Sequence, residues 1–362
     1  MTTTILLFIA GLIILIFGAD LLLRGATRLA AALGISPLAI GLTIVALGTA
    51  SPEIAVSLQA SINGQADLTL GNVLGSNIFN ILFLLGMTAM VAPIVIAEQL
   101  IRMDAPIMLA VSILVLALAL DGNIGIFDSL VLLSGLIGYT IFALRQSRAE
   151  SKKVQNEYAE EFAEKQPRTT KNMAANILFI VAGLGLLVVG SRWLVDAAVA
   201  IARALRVSEL IIGLTIVAIG TSLPEVTTSV MAALKNESDI AVGNAVGSNI
   251  FNLLGVLGVG ALLSPNGISV SARVLQFDFL VMIFVALVSL PIFYIDNRIS
   301  RTEGVLLLSY YIIYTAYILL QAIGSPALPF ATWFIAIFVP LTFVALIVFA
   351  FGSARSKRLA RS

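Results

Sequence analysis

The sequence predicts an all-α polytopic membrane protein made of two inverted five-helix repeats and one extra C-terminal transmembrane helix. Three observations carry that expectation. First, 59% of the 362 residues are hydrophobic, only 11% are charged, and the mean hydropathy is +1.06; soluble domains carry about 25% charge. Second, the apolar residues lie in long continuous runs. A spanning helix needs about 20 of them, whereas a membrane barrel shows alternating segments of ~10 residues. Third, one stretch of text occurs twice. Gly41-Leu-Thr-Ile-Val-Ala-Leu-Gly-Thr-Ala-Ser-Pro-Glu53 returns as Gly213-Leu-Thr-Ile-Val-Ala-Ile-Gly-Thr-Ser-Leu-Pro-Glu225, at an offset of 172. Gly71-Asn-Val-Leu-Gly-Ser-Asn-Ile-Phe-Asn80 returns at the same offset as Gly243-Asn-Ala-Val-Gly-Ser-Asn-Ile-Phe-Asn252.

The spans follow from the apolar runs in order. The first, near 4–33, has no basic n-region or cleavage site before it and reads as a retained helix, not a signal. Spans near 37–62 and 68–90 hold the two motifs of copy one, and spans near 104–120 and 126–144 complete a unit over 1–144. A mixed-charge linker follows over 145–172. Spans near 173–204, 209–233, 239–263, 275–295 and 303–322 repeat the pattern over 173–322. A last span, from about Pro329 to Phe351, lies in a tail region of 323–362 with no counterpart in the repeat. The offset of 172 holds from Gly18/Gly190 to Gly86/Gly258 and then drifts, Asp104 matching Asp278 at 174.

Orientation is read from basic residues near span ends. Arg145, Arg148, Lys152, Lys153, Lys165, Arg168 and Lys171 mark the linker as cytoplasmic, and Arg355, Lys357, Arg358 and Arg361 mark the tail so. An even number of spans separates them, so both assignments agree. The chain is expected in the cell (inner) membrane with its N-terminus outside and its C-terminus in the cytoplasm, although Arg203 and Arg206 then fall outside. Five spans per unit make copy two start on the opposite face, which is an inverted repeat.

The composition excludes much chemistry. There is no Cys and no His, so thiolate sites, imidazole metal sites and histidine-based triads are absent. A net charge of +1 offers nothing to nucleic acid. No cofactor motif and no obligate protein partner is evident, and no enzymatic activity is expected; the lipid bilayer is the surrounding partner. What remains is oxygen. Glu53 and Glu225 are carboxylates in mid-span, where charge costs several kcal/mol and normally marks an ion pathway. Pro52 and Pro224 lack the amide proton a helix needs and free carbonyls over Ala46–Thr49 and Ala218–Thr221. Ser76 with Asn80, and Ser248 with Asn252, are i, i+4 pairs on one helix face. Asn72, Asn77, Asn244 and Asn249 lie off that face and are as compatible with helix packing as with a site. Oxygen donors without His or Cys select hard cations, and Ca²⁺, with about six to eight oxygens in flexible geometry, fits such a set. Two carboxylates balance one Ca²⁺ or two Na⁺. Asp20 with Arg24, and Arg192 with Asp196, are expected as structural i, i+4 ion pairs.

At these two duplicated motifs the chain resembles the cation/calcium exchanger superfamily, and its prokaryotic sodium/calcium exchangers in particular. The resemblance implies an antiporter exchanging Na⁺ for Ca²⁺ by alternating access, the alternative being Ca²⁺/H⁺ exchange on the same scaffold. It implies that Glu53, Glu225 and the Thr49 and Thr221 carbonyls bind Ca²⁺. Ser76, Ser222, Ser248 and the carbonyls of Ala46 and Ala218 would serve Na⁺, with Asn80 and Asn252 lining the middle. It further implies that the first and sixth spans slide across this core. Ala50 stands where copy two has Ser222, so one hydroxyl is missing unless Ser51 replaces it. Asn252 stands where potassium-coupled relatives have an acid.

Overall fold

The structure is a computed structural model and describes residues 2–149, 170–205 and 218–359. Its helices are α1 (Thr2–Leu33), α2 (Pro37–Thr49), α3 (Ser51–Ile62), α4 (Ala66–Val91), α5 (Leu100–Asp121), α6 (Ile126–Ala149), α7 (Thr170–Ala204), α8 (Ala218–Thr221), α9 (Leu223–Leu234), α10 (Ser238–Leu263), α11 (Val274–Tyr294), α12 (Arg301–Ala322) and α13 (Leu328–Leu359). Among the described residues nine helices are long and apolar enough to cross a membrane, and α2 with α3 forms a further, bent span. The chain is an all-α membrane protein. The first part of the expected span 209–233 and most of the expected linker 145–172 lie outside the described residues; α8 and α9 supply the rest of that span.

The repeat is inverted, and two short strand pairs show it. β1 (Ile94–Val95) precedes α5 and β2 (Asn123–Ile124) follows it, so they sit at opposite ends of a long helix. β1 pairs antiparallel with β4 (Arg298–Ile299), and β2 pairs antiparallel with β3 (Ile268–Ser269). In copy two, β3 is the counterpart of β1 and β4 the counterpart of β2. Each strand therefore pairs with the counterpart of the other, and equivalent strands lie on opposite faces. Only a two-fold axis between those faces produces that exchange. The drift in offset is also visible, as one-turn π-helical stretches at Leu100–Asp104 and Val274–Asp278.

α1 and α7 form an antiparallel pair whose backbones touch. A Cβ on Gly183 would lie 2.6 Å from the Leu22 nitrogen, and one on Gly11 would lie 2.8 Å from the Leu194 nitrogen. Gly11, Gly18 and Gly25 face Gly190, Gly183 and the Asn176 carbonyl in register. Small residues at such spacing let membrane helices approach closely. Outward, the pair presents Ile13, Phe17, Leu178 and Val181, all exposed as lipid contacts require. Asp20 accepts from Arg24 Nε at 2.8 Å as expected, and also pairs with Lys235 at the end of α9. Arg192 and Asp196, both exposed, do not pair with one another among the described residues, since helical spacing permits such a contact without requiring it. α13 lies outside the repeat, against α11 and α12, held by the Tyr310–Thr342 hydrogen bond and the Phe284–Phe343 ring contact.

Candidate functional site

The centre of the molecule is built where two interrupted helices from each half meet. α2 and α3 are bent by 51° at Ala50, and α8 and α9 break at the equivalent Ser222. Each break has the same cause. Pro52 and Pro224 cannot donate to the carbonyl four residues earlier, Gly48 or Gly220. Both freed carbonyls are taken by serines: Ser51 Oγ donates to Gly48 O at 2.6 Å, and Ser191 Oγ, from α7, donates to Gly220 O at 2.6 Å. The carbonyl released by each proline, buried at Gly220 and half-buried at Gly48, is thus satisfied by the protein itself. Ser51 donates its proton within its own turn, whereas Ser222 donates to the acid of the other half.

Beyond each break stands the acid. Glu53 and Glu225 are each 1% exposed. Ser222 Oγ donates to Glu53 Oε1 at 2.7 Å, joining copy two to the acid of copy one. Glu53 Oε2 and Glu225 Oε2 are buried without a hydrogen-bond partner, and so are Asn80 Oδ1 and Asn252 Oδ1. Leaving a buried acceptor unpaired costs ~1–3 kcal/mol, more for a charge. These four atoms form two pairs related by the repeat; Asn77 Oδ1, Thr88 Oγ1, Gln99 Oε1 and Thr228 Oγ1 are buried and unpartnered as well. Asn80 and Asn252 each open a π-helical turn, Asn80–Leu84 and Asn252–Val256, a distortion that recurs at functional sites.

The remaining expected residues gather around them. Thr49 Oγ1 lies 3.0 Å from Asn244 Oδ1. Ser248 Oγ donates to the Ala46 carbonyl at 3.4 Å. Ser76 and Thr221 line a cavity of about 680 Å³. Ala218 begins α8, one turn before Ser222. Sequence reasoning left Asn72 and Asn244 undecided and missed Ser57 and Ser229. Asn72 Nδ2 donates to the Glu53 carbonyl at 3.1 Å and to Ser57 Oγ at 2.8 Å. Asn244 Nδ2 donates to the Glu225 carbonyl at 3.3 Å and to Ser229 Oγ at 3.0 Å. These clamps fix the turn that carries each acid to the neighbouring helix. Their signal in the sequence is the offset of 172, which Ser57/Ser229 and Asn72/Asn244 both keep.

The two halves differ in access. The cavity runs from Asp67, Ser271 and Arg273 at its mouth to Asn72, Ser76 and Thr221 at its floor. Along it Gly71 and Gly75 have nothing within 4 Å of an added Cβ. Their counterparts Gly243 and Gly247 are sealed: a Cβ on Gly247 would lie 2.6 Å from the Leu42 carbonyl, and one on Gly243 would lie 3.0 Å from the Leu38 carbonyl. The segment equivalent to the one that seals Gly243 and Gly247, residues 206–217, lies outside the described residues, and the contrast holds for the described residues alone.

Inverted repeats and paired broken helices around a buried polar centre define a secondary membrane transporter, not an enzyme. The comparisons give the family. The profile of the sodium/calcium exchanger protein family matches residues 3–145 and 175–320, and the chain belongs to that family. It is 37% identical to the inner membrane protein YrbG of Escherichia coli over 86% of this chain and 95% of that one. It is 30% identical to the sodium/calcium exchanger MaX1 of Methanosarcina acetivorans over 86% of this chain and 97% of that one. Its fold matches the solved sodium-calcium exchanger NCX_Mj, soaked with 10 mM Na⁺ and zero Ca²⁺, with a TM-score of 0.74 and 31% identity. That match covers 86% of this chain and 98% of the other.

Proposed function

We propose that this protein is an antiporter that exchanges Na⁺ for Ca²⁺ across the membrane by alternating access. The observation that carries the reading is the set of four buried, unpartnered oxygens on Glu53, Asn80, Glu225 and Asn252. Buried acceptors without a donor suit a cation. Ca²⁺ accepts such oxygens in flexible geometry. Glu53 and Glu225, with the carbonyls of Thr49 and Thr221, hold Ca²⁺. Ser76, Ser222 and Ser248, with the carbonyls of Ala46 and Ala218, serve Na⁺; Asn80 and Asn252 lie between. One Ca²⁺ or two Na⁺ neutralise the two carboxylates, so each ion set displaces the other, which is what couples their movement.

In this reading the N-terminus lies outside and the C-terminus in the cytoplasm, and the units 1–144 and 173–322 flank the site, with 323–362 peripheral. The cavity mouth at Asp67, at the start of the third span, then faces outward.

The test is radiolabelled Ca²⁺ uptake into proteoliposomes with Na⁺, K⁺ and H⁺ gradients varied singly. Uptake driven by internal Na⁺, with the pH gradient collapsed, is the expected result. Uptake that follows the pH gradient and ignores Na⁺ would replace this reading with Ca²⁺/H⁺ exchange.

A further inference from the structure

A carboxamide has two ends and only its oxygen can face a cation. For Asn80 the surroundings decide which end that is. Asn77, Asn80 and Asn249 are all buried, at 2%, 1% and 2% exposure. The chain of constraint starts at the Asn77 backbone carbonyl, which can only accept. Asn249 Nδ2 donates to it at 3.1 Å, with Met108 Sδ at 3.5 Å on the same nitrogen. The Asn249 oxygen must therefore point the other way. There it meets Asn80, whose Nδ2 donates to Asn249 Oδ1 at 3.1 Å. The Asn80 nitrogen is thereby used, and Asn80 Oδ1 is left buried and without a partner. Side-chain amides are ordinarily ambiguous between oxygen and nitrogen. Here a backbone group removes the ambiguity, and the orientation is passed from Asn77 through Asn249 to Asn80.

We infer that Asn249 is a positioning residue that turns the Asn80 amide so that its oxygen faces the transported cation. The inference rests on the cation site proposed above. It extends to metal-site amides the rule that an outer partner fixes the orientation of a ligating side chain. The device is one-sided. The counterpart of Asn249 is Asn77, whose Nδ2 turns back to the Val73 carbonyl of its own helix at 2.7 Å. Asn77 Oδ1 and Asn252 Oδ1 are both unpartnered, so Asn252 has no such relay in this state. The two amides at the centre are thus inequivalent, and Asn80 is the one oriented in advance.

Equilibrium binding of radiolabelled Ca²⁺ to the purified full-length protein tests this, with Asn249→Ala measured in two backgrounds. In the native background Asn249→Ala frees the Asn80 amide to turn, and Ca²⁺ binding weakens about tenfold. In an Asn80→Asp background both terminal atoms are oxygen, so orientation no longer matters. There the Asn249 oxygen faces a carboxylate oxygen instead of an amide donor, so Asn249→Ala leaves binding unchanged or strengthens it relative to Asn80→Asp alone. Asn249→Ser, which keeps a small polar group near the Asn77 carbonyl yet is too short to reach Asn80, gives the same pattern and serves if the alanine variant does not fold. An equal loss in both backgrounds means that Asn249 only packs α4 against α10, and overturns the inference. Glu53→Gln, run alongside, tests the site itself: if it binds Ca²⁺ as the native protein does, the proposed site fails, whatever Asn249 does.

Discussion

Ser222 Oγ donates to Glu53 Oε1 at 2.7 Å, across 169 residues of chain and from one repeat to the other. The reverse contact does not exist, because Ala50 stands at the equivalent position and Ser51 is bonded to Gly48 O. The Ser222 hydroxyl thus has no counterpart at position 50, although a threonine hydroxyl of the opposite half, Thr49 or Thr221, serves each acid. If such hydroxyls serve Na⁺, Ser222→Ala raises the Na⁺ concentration needed for half-maximal exchange, and Ala50→Ser lowers it. Each shift is expected at about threefold to tenfold, as a hydrogen bond of ~1 kcal/mol implies. Na⁺ titration of Ca²⁺ uptake measures both, and shifts in the same direction would contradict the assignment.

Ser51 separates kink stability from ion binding. Ser51→Ala removes the hydroxyl donor from the half-buried Gly48 carbonyl, which costs about 0.5–1.5 kcal/mol. The expected outcome is a lower melting temperature with an unchanged half-saturation for Na⁺. An unchanged melting temperature with weaker Na⁺ dependence would move this hydroxyl into the site.

The absence of cysteine makes the access state directly measurable. Ser76 lines the open cavity, whereas Ser248 is fully buried against Ala46. A membrane-impermeant thiol reagent added outside is expected to label Ser76→Cys and to leave Ser248→Cys untouched in right-side-out vesicles. Labelling of Ser248→Cys alone would assign the opposite orientation.

The α1–α7 contact predicts a contrast between two glycines of one helix. Gly183→Ala places a Cβ 2.6 Å from the Leu22 nitrogen and forces the helices apart. Gly185→Ala meets nothing within 4 Å and gains up to about 1 kcal/mol of helix propensity. Thermal unfolding in detergent should show Gly183→Ala clearly destabilised and Gly185→Ala unchanged or improved.

How much of this was legible in the sequence follows from what repetition can encode. Glu53 and Glu225 were readable because a charge after proline in an apolar run has few structural excuses, and two copies leave fewer. The inversion was readable from an odd number of spans. The fate of the freed carbonyls was not. Proline placed them only within Ala46–Thr49 and Ala218–Thr221, and the donor to Gly220 is Ser191 on a helix that no local pattern connects to it. The roles of Asn72 and Asn244 were equally hidden, since an amide facing a neighbouring helix reads the same whether it packs that helix or clamps a carbonyl. The Asp20–Lys235 pair joins residues far apart in the chain, and the expected Arg192–Asp196 pair failed because helical spacing permits a contact without requiring it.

The measurement that bears most directly on the shared carboxylate centre is Ca²⁺ binding to Glu53→Gln and Glu225→Gln, followed by the Ca²⁺-dependent rise in melting temperature. Each variant keeps the shape of the side chain and removes a charge that is buried without a counter-ion. The expected result is a melting temperature without Ca²⁺ that equals or exceeds the native value, and no rise when Ca²⁺ is added. A native-sized rise in either variant would mean that the two glutamates do not jointly hold the ion.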